Sequence, residues 1–163
     1  MKPVCFSNGS AKLMNAVHNP FGHTISSADV LDTLGFFDSW EDRYKYIIEL
    51  GRELPTQPQA FHSPERLVRG CQSQVWIDTT LVDGKLQISV DSDAFIVKGL
   101  LGVVLAAYNN KTPAEILAFD IEGYFAALDL LQHLSASRGS GLRAMVARIV
   151  DSATSHLYQP SSG

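Results

Sequence analysis

The sequence predicts an α+β fold in which a small antiparallel sheet packs against helices. Apolar residues alternate on both sides of Asp83-Gly84, a dipeptide that favours the tight turn of a β-hairpin. Segments with helical spacing of apolar residues stand before and after this hairpin rather than alternating with strands. The 163 residues are enough for one domain with its own core, which we assign to residues 20–157. We expect residues 1–19 and 158–163 to form flexible tails.

Two helices are predicted ahead of the hairpin. Ser26 and Asp29 have the spacing of a capping box, and Gly35 is predicted to end the helix that they begin. Ser39 begins the second helix, which ends before Leu54-Pro55. Its apolar residues recur on one face: Trp40, Tyr44, Ile47 and Ile48. The next segment is ambiguous, because residues 63–65 suit the start of a short helix and Leu67-Val68 suits a short strand.

Four helices are predicted after the hairpin. Asp91-Ser92-Asp93 offers an N-cap for a buried helix over residues 94–108, in which Gly99 and Gly102 allow another backbone to approach closely. Thr112-Pro113-Ala114-Glu115 predicts a helix that reaches about residue 119. A further helix is predicted over residues 123–133, then a polar joint over residues 134–140. The last helix has an apolar stripe: Leu142, Met145, Val146, Ile149 and Val150.

Composition excludes several classes of function. The formal net charge of −4 gives no basic surface for nucleic acid, and no apolar run is long enough to span a bilayer. Two cysteines in a chain of this length do not make a disulfide framework, so we expect free thiols in the cytoplasm. The five histidines lack the spacing of a zinc site, and we expect no metal and no cofactor.

Cys71 is the residue most suited to chemistry. It follows Gly70, which can turn without a Cβ clash, and the polar residues that follow begin with Gln72. Arg69 is predicted to favour the thiolate, the form that attacks. An arbitrary cysteine is more often a small buried apolar residue, by about 3:1, and these local features bring the two interpretations to about even.

Two further residues are candidate partners of Cys71. A hydrolytic cysteine needs a base beside it, and His133 is the histidine nearest to a polar joint, yet nothing in the spacing places it beside Cys71. Arg138 suits a helix end or an anion, although a single arginine is more often a surface residue. Neither residue identifies a reaction by itself.

Several ordered blocks resemble the SufE family of sulfur acceptors for cysteine desulfurases. The principal match is Gly70-Cys71-Gln72-Ser73-Gln74-Val75-Trp76, and the resemblance extends from about residue 21 to residue 149. The other matching blocks are Trp40-Glu41-Asp42-Arg43-Tyr44, residues 48–51 with Leu54-Pro55, residues 91–94 with 96–100, and Gln132-His133-Leu134 with Ser137-Arg138 and Gly141-Leu142. Residues 19–22 and 134–138 resemble the CsdE branch, whereas residues 72–74 and 119–121 resemble the SufE branch, so the branch stays open.

The resemblance implies a SufE/IscU-like fold with a three-stranded sheet, in the order α-α-β-β-β-α-α-α-α, which favours a strand at Leu67-Val68. It implies that Cys71 lies on a loop against apolar surface, takes sulfur from a SufS- or CsdA-like desulfurase as a persulfide, and passes it to an acceptor such as an iron–sulfur scaffold. The desulfurase would supply the pyridoxal phosphate. Gly70, Gln72, His133 and Arg138 are implied as supporting residues.

Three other functions compete with the sulfur acceptor. An IscU-type iron–sulfur scaffold normally needs several thiolates, and this chain has only Cys71 and the remote Cys5. A redox or hydrolytic thiol protein needs a resolving cysteine or a base. In a non-catalytic interaction domain, Cys71 would only contribute packing. The sulfur acceptor is therefore the prediction, and the scaffold and the redox-active thiol protein are its alternatives.

Overall fold

The computed structural model of the protein describes residues 19–157. This range contains the whole predicted domain, residues 20–157. It also contains one residue of the predicted N-terminal tail, Asn19, whose side chain donates to the Ile88 carbonyl at 3.4 Å. The rest of the predicted tails, together with Cys5, lies outside the described residues. Within them, no helix is both long and apolar enough to cross a membrane.

The described chain contains six α-helices and one β-hairpin, which confirms the α+β class. Two short 3₁₀ turns, Gln59–Phe61 and Leu131–His133, lie between the longer elements. The elements in chain order are α1 (Ser27–Phe36), α2 (Trp40–Gly51), β1 (Val75–Val82), β2 (Lys85–Ser92), α3 (Phe95–Tyr108), α4 (Pro113–Ala118), α5 (Ile121–Leu128) and α6 (Ala136–Leu157).

Capping residues set the starts of several helices where the sequence predicts them. Ser26 and Asp29 form a full capping box at α1. The Ser39 side chain accepts the first-turn N–H of Asp42 at α2. At α4 the box of Thr112 and Glu115 is completed by proline at the first helical position.

The sheet has two antiparallel strands instead of the three that the resemblance implies. β1 and β2 pair from Val75 opposite Ser92 to Val82 opposite Lys85, across the predicted turn. Leu67 forms only an isolated antiparallel bridge to Trp76, flanked by two backbone hydrogen bonds of 2.8 Å, so the third strand is reduced to a single bridge. The chain turns at residues 64–66 and again at residues 69–70, and too little extended backbone lies between these turns to form a strand.

Helix α3 is the centre of the core, and it is buried on nearly all sides. It packs closely against α2 at Gly99. A Cβ added to this glycine would lie only 2.2 Å from the Ile47 carbonyl oxygen. The predicted close approach at Gly99 is thus confirmed. The predicted cap of this helix is wrong: its N-cap is Ala94, and the Asp93 side chain binds a backbone N–H of the preceding loop instead.

Two boundaries near the C-terminus differ from the prediction. Helix α5 begins at Ile121, where Asp120 caps it, and it ends at Leu128. Its C-cap, Asp129, adopts a left-handed conformation with φ of +57°. Helix α6 begins at Ala136 rather than after a polar joint. The Ser135 side chain accepts the N–H of Arg138, an N-cap contact that places Arg138 in the first turn of α6.

Candidate functional site: a cysteine on a pinned loop

Cys71 lies on a short loop, residues 69–74, which we call the Cys71 loop. The residues on either side of the loop are joined by a hydrogen bond, because the N–H of Val68 donates to the Val75 carbonyl at 2.8 Å. The last loop residue, Gln74, makes two further hydrogen bonds: its N–H donates to the Asp93 carboxylate at 3.1 Å, and its carbonyl accepts from the Ser92 hydroxyl at 2.7 Å. Both ends of the loop are therefore fixed to the sheet and to the start of α3.

Gly70 provides the turn that brings Cys71 to the middle of this loop. Its φ of +91° lies in the region that side chains with a Cβ rarely adopt. Space is not the constraint, because a Cβ there would meet Ala144 at an ordinary 3.5 Å. The glycine is required by the backbone conformation, as the sequence predicts.

One face of helix α6 follows the loop residue by residue. The Ser137 hydroxyl donates to Gln72 Oε1 at 2.9 Å, and the Cys71 thiol donates to the Gly141 carbonyl at 3.6 Å. Further along, Ala144 lies beside Gly70, and the Arg148 guanidinium donates to the Leu67 carbonyl at 3.2 Å. The spacing of three and four residues places these groups on one side of the helix, which we call the loop-facing stripe of α6. Its members are Ser137, Gly141, Ala144 and Arg148.

The Cys71 side chain is half-buried in a small pocket between this stripe and helix α3. The pocket has a volume of about 20 Å³, which is room for about one water-sized atom. Its apolar wall comes from Val75, Val97, Leu100 and Met145. The thiol therefore lies against apolar surface, as the family resemblance implies.

Burial raises the pKa of the Cys71 thiol above its ordinary value. The prediction that Arg69 favours the thiolate is therefore wrong for this conformation. Arg69 is exposed, and desolvation is the cause of the shift. The thiol is kept protonated and weakly nucleophilic as long as the loop remains in this position.

This pKa direction gives a testable expectation. Alkylation of Cys71 by iodoacetamide is expected to be slow at pH 7 and to rise with pH through a midpoint above that of the same thiol in the unfolded chain. The sign follows because thiolate is the reacting form and a raised pKa delays its appearance. The pH–rate profile of a Cys5→Ser variant, folded and in urea, measures both midpoints. A folded midpoint at or below the unfolded one would contradict the expectation.

The structure brings some of the predicted supporting residues to the thiol. Gln72 and Arg138 both line the Cys71 pocket, Arg138 from the first turn of α6. His133 is placed elsewhere: its ring stacks on Trp40 at 4.0 Å between centroids, and its Nδ1 lies 3.0 Å from the Asp129 carbonyl oxygen. It is not among the residues that line the pocket, so no base is positioned there by His133.

Three contributors to the site are missed by reasoning from the sequence. In the sequence Asp93 has the position of a helix cap, whereas in the structure its carboxylate accepts the N–H of Gln74. For Ala144 and Arg148 the one signal in the sequence is their helical spacing from Ser137. That spacing becomes informative only once Cys71 is known to lie beside Gly141.

Metal binding finds no support in residues 19–157. No group of three or more His, Cys, Asp or Glu side chains there is arranged to hold a metal ion. What the arrangement offers chemically is a single thiol, shielded on a loop that has two fixed ends and a glycine turn between them.

The fold and the site define a class of protein: a small α+β domain that carries one sheltered thiol on a loop. A sequence model of the SufE family, described as an Fe-S metabolism associated domain, matches residues 28–153. The chain belongs to the SufE family. Membership supports a role in sulfur transfer tied to iron–sulfur metabolism, and it implies interaction with a cysteine desulfurase.

Individual relatives agree with this assignment. An uncharacterized SufE-like protein of Rhizobium meliloti (strain 1021) is 42% identical over 132 residues, which cover 78% of this chain and 94% of that protein. A second, from Rhizobium etli, is 44% identical over 128 residues, covering 76% and 86%. The solution structure of a hypothetical protein from Thermus thermophilus superimposes with a TM-score of 0.68 at 18% identity, covering 82% of this chain and 96% of that one. This last likeness concerns the fold alone.

Proposed function

We propose that this protein accepts sulfane sulfur on Cys71 from a cysteine desulfurase, stimulates that enzyme, and passes the sulfur on toward iron–sulfur cluster assembly. The observation that carries the proposal is the position of Cys71, half-buried in the middle of a loop whose two ends are fixed. Such a thiol is sheltered when idle and can be presented by a movement of few residues. The SufE family match supports the same role.

The transfer itself is an exchange between sulfur atoms. The Cys71 thiolate attacks the outer sulfur of a persulfide on the desulfurase, so that a new S–S bond forms to Cys71 and the bond to the desulfurase cysteine breaks. The desulfurase cysteine is the leaving group and departs as a thiolate, and the proton of Cys71 passes to solvent. The exchange consumes no oxidant or reductant. Pyridoxal phosphate belongs to the partner, and we expect this protein to need no cofactor of its own.

The resting geometry suits a carrier that is opened by its partner. The raised pKa and the burial of Cys71 slow its reaction with stray oxidants and alkylators. A docking desulfurase would have to displace the Cys71 loop, which raises the thiolate fraction by returning the sulfur to a more polar environment. The pocket has room for about one more atom, which would allow a persulfide to withdraw after transfer.

The neighbouring functions fit less well. A cluster scaffold normally uses several thiolates, and the whole chain has two cysteines. A redox or hydrolytic thiol would need a base beside Cys71, whereas the ring of His133 stacks on Trp40. We therefore retain the carrier as the function, and we place the reaction in the cytoplasm, where thiols stay reduced.

The test is the mass of the protein after reaction. Incubation with a cysteine desulfurase and L-cysteine, without reductant, is expected to add about 32 Da, the mass of one sulfur atom bound as a persulfide. Dithiothreitol should remove the added mass. The Cys5→Ser variant is expected to gain the same mass and Cys71→Ser to gain none. An unmodified wild-type protein, or a gain that persists in Cys71→Ser, would refute the carrier function.

A further inference from the structure

We propose that Arg148 is a positioning residue that holds the segment leading into the Cys71 loop and thereby limits how often the thiol is exposed without a partner. The inference rests on the proposed function for its biological meaning. Its physical basis is independent of that function, because it concerns only how helix α6 grips the chain before Cys71. Arg148 lies on the loop-facing stripe of α6 and is half-buried.

The Arg148 guanidinium binds two backbone carbonyls of the leading segment. Nη1 donates to the Leu67 carbonyl at 3.2 Å, and Nη2 donates to the Glu65 carbonyl. The planar guanidinium offers several N–H groups in a fixed arrangement, which allows one side chain to hold two acceptors at once. Hydrogen bonds from a charged donor are also stronger than neutral ones. Arg148 therefore fixes this segment at two points.

The peptide unit between Leu67 and Val68 is held from both sides. Its carbonyl accepts from Arg148 on α6, and its N–H donates to the Val75 carbonyl on β1 at 2.8 Å. The carbonyl and N–H of a trans peptide point in opposite directions, so the unit bridges helix and sheet. It forms a fixed point that only Arg69 separates from Gly70, whose positive φ marks the turn into Cys71.

This fixed point limits which residues move when the thiol opens. With the 67–68 peptide held by Arg148 and Gln74 held by Asp93, movement is confined to residues 69–73. Without Arg148, residues 66–68 keep two hydrogen bonds to β1, from the Val68 N–H to the Val75 carbonyl and from the Ile77 N–H to the Arg66 carbonyl, each at 2.8 Å, but they lose their attachment to α6. The sheet alone then holds this segment, so it separates from α6 more easily and Cys71 moves away from Gly141 more often.

The test measures the exposure of Cys71 in the isolated protein. In a Cys5→Ser background, Arg148→Gln is expected to raise the rate of iodoacetamide alkylation about fivefold to tenfold, because it removes hydrogen bonds that hold the segment on α6. This change corresponds to about 1–1.4 kcal/mol. The matched control is Arg143→Gln. Arg143 lies on the same helix but binds Glu122 at 2.7 Å, and its rate is expected to stay within about twofold of the parent. Equal rates in the two variants would overturn the proposal.

Two further readouts separate positioning from a general loss of stability. Hydrogen exchange followed by mass spectrometry is expected to accelerate in residues 65–74 of Arg148→Gln and to remain unchanged in α3. Arg148→Lys keeps the charge and can reach one carbonyl, so its alkylation rate is expected to lie between those of the parent and the glutamine variant. Equal acceleration in α3 would mean that Arg148 acts only on overall stability.

These assays contain no desulfurase, so their failure is separate from failure of the carrier function. If the sulfur-transfer mass gain is observed and the alkylation rates do not differ, the carrier stands and the role of Arg148 falls. If the rates differ and no sulfur is accepted, the role of Arg148 in holding the loop stands and its link to sulfur transfer falls.

Discussion

Cys71→Ser is expected to abolish the stimulation of a cysteine desulfurase by this protein. A serine hydroxyl occupies almost the same space but cannot accept sulfane sulfur by thiol exchange, so the desulfurase keeps its persulfide and turns over at its own rate. The measurement is the rate of alanine formation from L-cysteine with and without added protein. The variant is expected to leave the desulfurase rate unchanged, whereas the wild-type protein raises it.

The same experiment needs proof that the variant is folded and still binds. Because Cys71 is only half-buried, the substitution is expected to cost no more than about 1 kcal/mol of unfolding free energy. Cys71→Ser should therefore compete with the wild-type protein for the desulfurase and inhibit its stimulation. The Cys5→Ser variant serves as the thiol control and is expected to stimulate fully. Stimulation that survives in Cys71→Ser would show that docking alone activates the enzyme.

Local signals predicted much of the fold because their causes lie within a few residues. The capping boxes at Ser26 and Thr112 depend on a partner three positions away, and both form as predicted. The turn at Asp83-Gly84 likewise depends on residues within the turn, and it sets the pairing of β1 with β2. In each case the sequence neighbourhood contains the whole physical interaction.

Contacts between distant segments decided the features that were mispredicted. Asp93 has the spacing of a cap, yet the Gln74 N–H nineteen positions earlier competes for its carboxylate. Arg69 is close to Cys71 in sequence, but burial of the thiol among core residues has the larger effect on its pKa. Leu67-Val68 could not be judged as a strand without knowing that the chain turns on both sides of it.

The candidate site divides in the same way. Cys71 and Gly70 were identified from a short motif, because turn geometry and thiol chemistry are encoded where they act. Arg148 looks like any helical arginine in the sequence, and its role depends on where the Leu67 carbonyl lies in three dimensions. The turn that carries Cys71 was therefore predictable from the chain, whereas the contacts of Arg148 with the segment before it required the structure.

Gly99→Ala is expected to cause the largest loss of stability among the substitutions considered. A Cβ at this position would lie 2.2 Å from the carbonyl oxygen of Ile47 and 2.6 Å from the Cγ2 atom of the same residue. The oxygen is a backbone atom of α2, so it cannot move aside as a side chain could. Helix α3 would have to separate from α2, or one helix would have to shift, and overpacking of this kind costs about 1–3 kcal/mol or more. For a chain of this size, a loss of about 3 kcal/mol lowers the melting temperature by about 6–12 °C.

A matched glycine distinguishes crowding from helix propensity. Gly35 lies in the last turn of α1, and a Cβ added there would have no atom within 4 Å, so Gly35→Ala meets no obstacle. It is expected to stabilise the protein slightly, by up to about 1 kcal/mol, because alanine favours the helix. Thermal or urea unfolding of both variants measures the difference. If Gly99→Ala were as stable as Gly35→Ala, the two helices would not be in backbone contact, and the packing that supports the start of α3 beside the Cys71 loop would need another explanation.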